Sequence, residues 1–249
     1  MSNEPGKLSS MGLVWLGISL ALGLVVSTVI LSITMKTIKF ANQSITVKGY
    51  AEKQITSDLA SWSLEFSTDG KDMVACYNSI ERDFATVTQF LSTKGINRSE
   101  MSISPIYTEK QFQLTPNGMA TNIIDGYRLV RRITVTSSQV KLIDEVSSDI
   151  TSLIKQGVAV VSQPPQYTYT KINDLKIEML GEATKDARAR ADQLATNSGS
   201  KVGVLKAANQ GVFQITPPNS GDVSDLGMSD MTSIDKVMKA VVTIEFTIK

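Results

Sequence analysis

An uncharged apolar segment near the N-terminus constrains this chain more than any other feature. No charged residue lies between Lys7 and Lys36, and residues 12–35 read GLVWLGISLALGLVVSTVILSITM. As an α-helix this segment is about 36 Å long, whereas the hydrocarbon core of a bilayer is about 30 Å thick. The sequence therefore predicts one membrane-spanning helix at residues 12–35, between an N-terminal tail at residues 1–11 and a linker at residues 36–43.

A cleaved signal peptide is the main alternative for this segment, because signal peptides are also N-terminal and also begin with basic residues. Their apolar core is usually shorter, and it is followed by a cleavage site of small residues. Ala41 is the nearest small residue after the span, and Lys39 stands two positions before it, which does not fit such a site. A buried core helix does not suit this length and position. We therefore expect an uncleaved anchor.

The side of the membrane on which the rest of the chain lies does not follow from charge. More basic residues follow the span closely than precede it, namely Lys36, Lys39, Lys48 and Lys53 against Lys7. Such a bias favours a cytoplasmic C-terminal part. However, long domains cross membranes largely regardless of charge, so the bias leaves the orientation open.

The composition excludes several kinds of site. The 249 residues include no histidine and a single cysteine, Cys76. The chain therefore cannot supply a Ser-His-Asp or Cys-His group, an internal disulfide, a CxxC redox pair or a thiolate-rich zinc site. Its formal charge of +1 argues against a nucleic-acid binder that works by neutralising phosphates. The part after the anchor, about 210 residues, is long enough to bury a core without disulfides or metals.

The rest of the chain shows strand-like alternation and helical stripes. Ala60, Trp62, Leu64 and Phe66 share one face of a predicted strand. Helices are predicted at residues 71–94, 139–156 and 172–197, each ending near a glycine. The buried stripe of the first helix is predicted to contain Met73, Tyr77, Ile80, Phe84, Val87 and Leu91. The other strands are predicted at residues 44–50, 101–113, 123–137, 158–170, 201–211 and 237–249. Pro164 and Pro165 are expected to interrupt the strand at 158–170. A loop is predicted at residues 216–235.

The order of these elements predicts an α+β fold. After the anchor the order is β-β-α-β-β-α-β-α-β-β, and residues 58–170 follow the βαββαβ order of ferredoxin-like folds. We predict one domain at residues 44–249, with a ferredoxin-like core, an extra helix and flanking strands.

The sequence offers few candidates for chemistry, and each is better explained by structure. Cys76 lies beside the apolar stripe of the first helix, and no neighbouring feature would activate a thiol, so we expect a structural, partly buried cysteine. The acidic loop carries Asp222, Asp225 and Asp230, but their spacing does not match a calcium-binding loop.

Two groups of charged residues also have simple explanations. In residues 186–195, DARARADQLA, we expect Arg188 and Arg190 to pair with Asp186 and Asp192 on the solvent side, while the alanines pack on the sheet. Strand alternation places Arg128 and Arg132 on one face and Arg131 on the other, so these three do not form one patch. We therefore predict no catalytic, cofactor-binding or metal-binding residue.

Four segments resemble the SIMPL domain family. They are ITVKGYAEKQITSDLASWSLEFS at 45–67, ISPIYTE at 103–109, GYRLVRRITVTSSQVKLIDEV at 126–146 and EATKDARARADQLATNSGSKVGVLKAANQ at 182–210. The last is the most specific, because an Ala-rich helix followed by a K-V-G-V strand is similar to the usual end of that family's core. The resemblance covers residues 44–249.

The resemblance implies a location and a mode of action but no catalytic residues. Similar bacterial proteins are periplasmic or envelope proteins linked to oxidative stress, and some assemble into large ring-shaped oligomers, while a eukaryotic member is associated with kinase signalling. This chain departs from the bacterial pattern in its long span without an evident cleavage site. We therefore expect a single-pass protein of the inner membrane with its C-terminal domain in the periplasm.

Three functional hypotheses follow. The first is an envelope protein that acts by homo-oligomeric assembly or by binding a protein partner, in an oxidative or envelope stress response, and that is neither an enzyme nor a nucleic-acid binder. The second is a stress-sensing module that binds a small molecule or a denatured client. The third, less favoured, is a histidine-free enzyme that uses carboxylates.

Overall fold

The computed structural model describes residues 10–41, 43–222 and 224–248. The helices are α1 (Ser10–Ala41), α2 (Met73–Thr93), α3 (Val140–Asp149) and α4 (Ile172–Asn197), and short 3-10 helices cover Arg98–Glu100 and Ile150–Gln156. The strands are β1 (Ser44–Thr56), β2 (Leu59–Gly70), β3 (Met101–Ile103), β4 (Tyr107–Leu114), β5 (Ala120–Ser137), β6 (Ala159–Ser162), β7 (Gln166–Thr168), β8 (Val202–Gln210), β9 (Gln214–Thr216), β10 (Met228–Ser229) and β11 (Asp235–Ile248). The predicted mixture of helices and sheets is confirmed.

The segment that we treat as one domain in the sequence contains parts of two compact units. One unit, here called the anchor unit, includes the described residues up to 51 together with 180–211 and 241–248. The other, here called the core unit, includes the described residues of 52–179 and 212–240. Each unit has its own packing.

The N-terminal helix α1 is long and apolar enough to cross a membrane. Its stretch Met11–Lys36 has a mean hydropathy of 2.4, and none of it is buried. These properties suit both a membrane anchor and an N-terminal signal sequence. The helix continues through part of the predicted linker to Ala41, because residues 36–41 contain no glycine or proline that would end it.

The core unit is built on an antiparallel sheet with the strand order β3-β5-β2-β6, in which β4 also pairs with β5 and β7 with β2. The predicted alternation of β2 is confirmed, since Ala60, Trp62, Leu64 and Phe66 are each no more than 1% exposed. Trp62 lies opposite Val135 of β5, which is fully buried. The apolar face of this sheet therefore carries the core of the unit.

Helix α2 covers that apolar face and packs on β2 and β5. Asp72 caps its first turn by accepting a hydrogen bond from the backbone N–H of Ala75 at 2.9 Å. The predicted stripe is wrong at its start, because Met73 and Tyr77 are 44% and 51% exposed. Cys76 takes the buried position instead, and the buried residues then continue as Ile80, Val87 and Leu91.

The second predicted helix changes form along its length. It is α-helical only to Asp149 and continues as a 3-10 helix to Gln156. With three residues per turn, a 3-10 helix places Ile150 and Leu153 on one side, and both are buried. Gly157 ends it with a φ of 87°, as the glycine in the sequence predicts.

Prolines divide two of the predicted strands. The strand predicted at 101–113 forms β3 and β4 on either side of Pro105, and the strand predicted at 158–170 forms β6 and β7 on either side of Pro164 and Pro165. A proline cannot donate to a strand ladder, so pairing stops at these positions.

The second sheet has the order β1-β11-β9-β10, and β8 also pairs with β11. The loop predicted at 216–235 was wrong in one part, because Met228 and Ser229 of β10 pair in parallel with Gln214 and Ile215 of β9. In the anchor unit, α4 packs closely on β1. Ala183, Ala187, Ala191 and Ala195 are buried at a spacing of four, and a Cβ at Gly49 would lie only 2.0 Å from the Ala183 carbonyl oxygen.

Candidate functional site

Cys76 is a buried thiol in the core unit. Its side chain is 3% exposed, and its Sγ lies 3.9 Å from the carbonyl oxygen of Tyr127. It belongs to the apolar cluster between α2 and the sheet. The structure therefore places it where the sequence predicts a structural cysteine.

The three arginines of β5 lie on two faces, as strand alternation predicts. Arg131 points toward α2, where its Nη1 donates to Glu81 Oε1 at 2.8 Å and its guanidinium lies 4.0 Å from the ring centre of Phe84. Arg132 donates to Glu65 on the opposite face. These side chains are engaged in local pairs and do not form one basic patch.

The acidic loop contributes one aspartate to a buried ion pair. Asp222 and Asp225 are exposed, whereas the side chain of Asp230 is 6% exposed and lies 3.6 Å from Lys236 Nζ. Lys236 Nζ also donates to the Asp230 carbonyl at 2.5 Å. Within the described part of the chain, no three His, Cys, Asp or Glu side chains form a group suited to a metal ion.

Burial shapes the protonation of this pair. Burial lowers the pKa of Lys236, and the carboxylate of Asp230 offsets part of that change. For Asp230 burial raises the pKa, but hydrogen bonds from Thr232 and Ser233 and the charge of Lys236 outweigh it, so its pKa lies below the ordinary value. The two side chains stabilise each other's charged form against the cost of burial, and the pair fastens the loop to β11.

The charged residues of segment 186–195 hold α4 in place within the anchor unit. Asp186 accepts a hydrogen bond from the backbone N–H of Tyr50 at 2.8 Å and pairs with Arg190. The Tyr50 bond and then Arg190 lower the pKa of Asp186. Arg188 pairs with Asp192 at 3.1 Å. The predicted pairs and the packed alanines are both present.

An apolar groove in the anchor unit is the candidate functional site. It lies between α4 and β8, over part of β11, and has a volume of about 520 Å³. We call it the α4–β8 groove. Leu180, Thr184 and Arg188 line it from the helix, and the sheet contributes Leu205, Ala208, Asn209, Gln210, Val242, Ile244 and Phe246.

The pairing of β8 with β11 explains how these residues share a face. Leu205 lies opposite Phe246, Ala208 opposite Ile244 and Gln210 opposite Val242. An irregularity in the ladder between Glu245 and Phe246 keeps Leu205 on the groove side, where it is 57% exposed. Sequence reasoning missed the groove because its walls come from three distant segments. The sequence carries only a weak signal for it. Val204 and Leu205 are adjacent apolar residues of β8, and both are exposed.

Arg188 marks one end of the groove. Its Nη1 donates to the Gly203 carbonyl at 3.0 Å and its Nη2 to the Val202 carbonyl at 3.5 Å. Its guanidinium carbon lies 5.1 Å from the ring centre of Phe246. The cation is therefore fixed beside Phe246 in the lining of an apolar cavity, an arrangement that can orient an amphiphilic ligand.

Two other cavities lie in the core unit. One, of about 390 Å³, is lined in part by Ser57, Gln139 and Lys141. The other, of about 550 Å³, contains Glu65, Glu109 and Arg132, and its Glu65 is ion-paired with Arg132. Asp83 is the described carboxylate whose pKa burial raises most clearly, with Arg82 opposing, and it lines none of these cavities. Glu65 and Glu109 are the two carboxylates that line one of these cavities, and Arg132 stands between them and a free acid-base pair by pairing with Glu65.

Comparison with known proteins gives the family. A sequence profile described as "SIMPL: Protein of unknown function (DUF541)" matches residues 45–247. The chain is also 21% identical over 173 residues to "Uncharacterized protein YggE" of Edwardsiella ictaluri (strain 93-146), which covers 70% of each chain. With a match across all of the chain except the N-terminal segment and the last residues, this protein belongs to the SIMPL family.

Proposed function

We propose that this protein is held in the inner membrane by α1, with residues 44–249 in the periplasm, and that it acts by assembling with copies of itself, without catalysis. The length and apolar character of α1 support the anchor. The resemblance to envelope proteins supports the periplasmic side and a role in oxidative or envelope stress. One observation in the structure carries the assembly part of the proposal, namely the exposed edge of β8.

Strand β8 offers an edge suited to pairing with another copy. Among the described residues it pairs with β11 alone. Edge strands are usually short or protected by charges and prolines. In contrast, β8 has nine residues, no proline and one charged residue, Lys206, and it exposes Val204 and Leu205. If β8 of a second copy paired with it in the antiparallel sense, the backbone N–H and C=O groups of both exposed edges would form hydrogen bonds, and Val204 of each copy would be covered.

The hairpin of β4 and β5 provides a second surface for assembly in the core unit. All of β4 is exposed, and Phe112 lies opposite Ile124 across the hairpin. Its exposed apolar side chains are Tyr107, Phe112, Leu114, Met119, Ile123 and Ile124. Several large exposed apolar side chains on one hairpin are a feature that protein contact surfaces often share.

The full chain in mild detergent tests the assembly. Light scattering after size exclusion is expected to give a mass of several protein copies. Val204→Lys introduces a charge on the β8 edge and is expected to reduce that mass toward one copy. Val74→Lys on α2 is the matched control, since Val74 is 68% exposed and lies outside β8. A monomeric unsubstituted chain, or equal masses for both variants, would contradict the proposed edge.

Cysteine labelling in intact cells tests the orientation. Because Cys76 is buried, an Asn117→Cys variant at the exposed tip of the hairpin places an accessible thiol in a chain with little background. A reagent that does not cross the inner membrane is expected to label it in intact cells once the outer membrane is permeable. Labelling only after the inner membrane is opened would place this part of the chain in the cytoplasm.

We also infer that the core unit is a ferredoxin-like domain. Support comes from the spatial order β4-β5-β2-β6. Helix α2 connects β2 to β4, and β5 lies between those two strands. Helix α3 connects β5 to β6, and β2 lies between them. A crystal structure of the protein tests this through the two crossover connections.

A second candidate function, the binding of a small molecule, is favoured by the α4–β8 groove. Ligand sites are typically apolar clefts with a few fixed polar groups, and this groove has Arg188 at one end and Asn209 and Gln210 among its lining residues. A thermal-shift screen tests the function, because a ligand that binds only the native protein raises its unfolding temperature.

A further inference from the structure

We propose that the α4–β8 groove binds a single-chain amphiphile with an anionic head, with the alkyl chain along the groove and the head group at Arg188. This inference rests on the second candidate function and names the ligand class. Fatty acids and lysophospholipids share this chemistry, since each joins one alkyl chain to a carboxylate or a phosphate.

The shape and lining of the groove fit an alkyl chain. Val242, Ile244 and Phe246 form its floor along β11, and these residues span about 13 Å at about 3.3 Å per residue. Leu180 and Leu205 form apolar walls on the two sides. An apolar cleft of about 520 Å³ with such a floor favours an extended alkyl chain over a compact polar metabolite.

Arg188 fits the head group. A guanidinium has five N–H donors, and the contacts of Arg188 with Asp192, Gly203 and Val202 use three of them. One N–H on each Nη therefore stays available for a carboxylate or phosphate oxygen. Those same three contacts and the ring of Phe246 hold the guanidinium in place, so that little side-chain entropy is lost on binding.

The charge of the anchor unit supports an anionic ligand. Within its bounds the sequence carries ten basic and five acidic residues, a formal charge of +5, although the whole chain has +1. Asp192 is the acidic group beside Arg188 and opposes a second anion there, but Lys185, Arg190, Lys201 and Lys206 add positive charge to the same unit. The net field therefore attracts an anion.

The groove opens close to the end of the membrane helix. Only Asn42 and Gln43 separate α1 from β1, and the Gln43 carbonyl accepts a hydrogen bond from the Ile248 N–H at 3.1 Å. Phe246 precedes Ile248 by two residues, about 7 Å along β11. With α1 in a bilayer, the Arg188 end of the groove lies at the membrane side of the anchor unit, where amphiphiles leave the lipid.

Photolabelling of the full chain in phosphatidylcholine nanodiscs tests the proposal. The probe is dodecanoate with a photoreactive diazirine near its methyl end, and labelled peptides are identified by mass spectrometry. Labels are expected in β8, β11 and the first half of α4. Labels confined to α1 would overturn the proposal, because the probe would then only report the bilayer.

Matched variants separate the groove from the lipid. Ala208→Trp fills the groove and is expected to remove the labels in β8 and β11, whereas Ala207→Trp, the same change at the neighbouring exposed alanine outside the groove, is expected to leave them. Thr184→Trp fills the groove from the helix and serves as a second blocking variant if Ala208→Trp does not fold. Labelling that persists in a folded blocking variant contradicts the site.

The head group is tested with the same probe in two forms. Arg188→Gln is expected to lower labelling by the carboxylate about tenfold, as for the loss of one charge-assisted hydrogen bond, and to leave labelling by the matching alcohol unchanged. Arg190→Gln, on the same helix but outside the groove, is the control. Equal loss for carboxylate and alcohol would overturn the role of Arg188.

Competition identifies the source of the ligand. Displacement of the probe by unlabelled dodecanoate indicates a free fatty acid, and displacement by lysophosphatidylglycerol indicates a lipid head group. Displacement by neither overturns the proposal. In that case a hit among polar metabolites in the thermal-shift screen would still support small-molecule binding as a function. The absence of any hit would contradict that function as well as the amphiphile site.

Discussion

The hydroxyl of Tyr167 donates a hydrogen bond of 2.6 Å to Asp144 Oδ1, which joins β7 to α3 in the core unit. The tyrosine is 4% exposed. Burial raises its pKa, and the hydrogen bond and charge of Asp144 raise it further. The native protein therefore holds this proton well above the pH at which an ordinary tyrosine loses it.

This pair predicts a loss of stability at high pH. In the unfolded chain the Tyr167 hydroxyl ionises at about pH 10, whereas in the native chain it is still protonated at that pH. Above that pH the unfolded state binds fewer protons than the native state, so the free energy of unfolding falls as pH rises. Urea denaturation followed by the fluorescence of buried Trp62 is expected to show this fall. Tyr167→Phe should lessen it, and Tyr107→Phe, at an exposed position, should not.

The ion pair of Lys236 and Asp230 predicts a large effect of breaking one side only. Lys236→Met leaves the carboxylate of Asp230 buried without its cation, and the expected loss in the free energy of unfolding is about 3–5 kcal/mol. The double variant Lys236→Met with Asp230→Asn should recover most of it. Lys185→Met, at an exposed lysine, is the control, with a change within about 0.5 kcal/mol. If Lys236→Met were as stable in urea as the control Lys185→Met, the result would contradict a buried ion pair.

Two glycines of the anchor unit predict opposite effects of the same substitution. In Gly49→Ala the new Cβ would lie 2.0 Å from the Ala183 carbonyl oxygen and 2.7 Å from Ala187 Cβ, so α4 must move away from β1. The expected cost is at least about 1–3 kcal/mol. In Gly181→Ala nothing lies within 4 Å, and a helix-interior alanine should stabilise by about 0.5–1 kcal/mol. Thermal unfolding by circular dichroism compares them, and a shift in the same direction for both would contradict the close packing.

The cap of α2 predicts a smaller effect. Asp72→Ala removes the acceptor of the Ala75 N–H and is expected to cost about 1 kcal/mol. Asp72→Asn keeps an acceptor and should lose less. Denaturation in urea measures both, and an alanine variant as stable as the original chain would show that the cap contributes nothing.

Elements with a clean period were predictable from the sequence. Helix α4 begins at Ile172 and ends at Asn197, as predicted, because its alanines recur every four residues and Gly199 ends it. The start of α2 was harder. Met73 and Tyr77 fit the period, but Cys76 is smaller and takes the buried place next to Gly70, whose missing side chain leaves room for its sulfur. Sequence spacing does not show such local fits.

The candidate site was not predictable, because its parts meet only through strand pairing. Arg188 looks like a solvated helix charge in the sequence, and its contacts with Val202 and Gly203 depend on where β8 lies beside β11. Lys236 is similar, since its burial depends on the return of Asp230 from a loop that looks solvated. The opposite faces of Arg131 and Arg132 were predictable, because alternation along one strand needs no partner.

The hydrogen bond between Ile248 and Gln43 also has a practical consequence. It holds the last described strand residue beside the start of β1, only a few residues after α1. With α1 in a membrane, as we propose, an affinity tag or fluorescent fusion attached after this strand would lie close to the lipid surface, where resin and antibody have poor access. Residues 116–119 in the turn of the hairpin are exposed and offer another position for a tag.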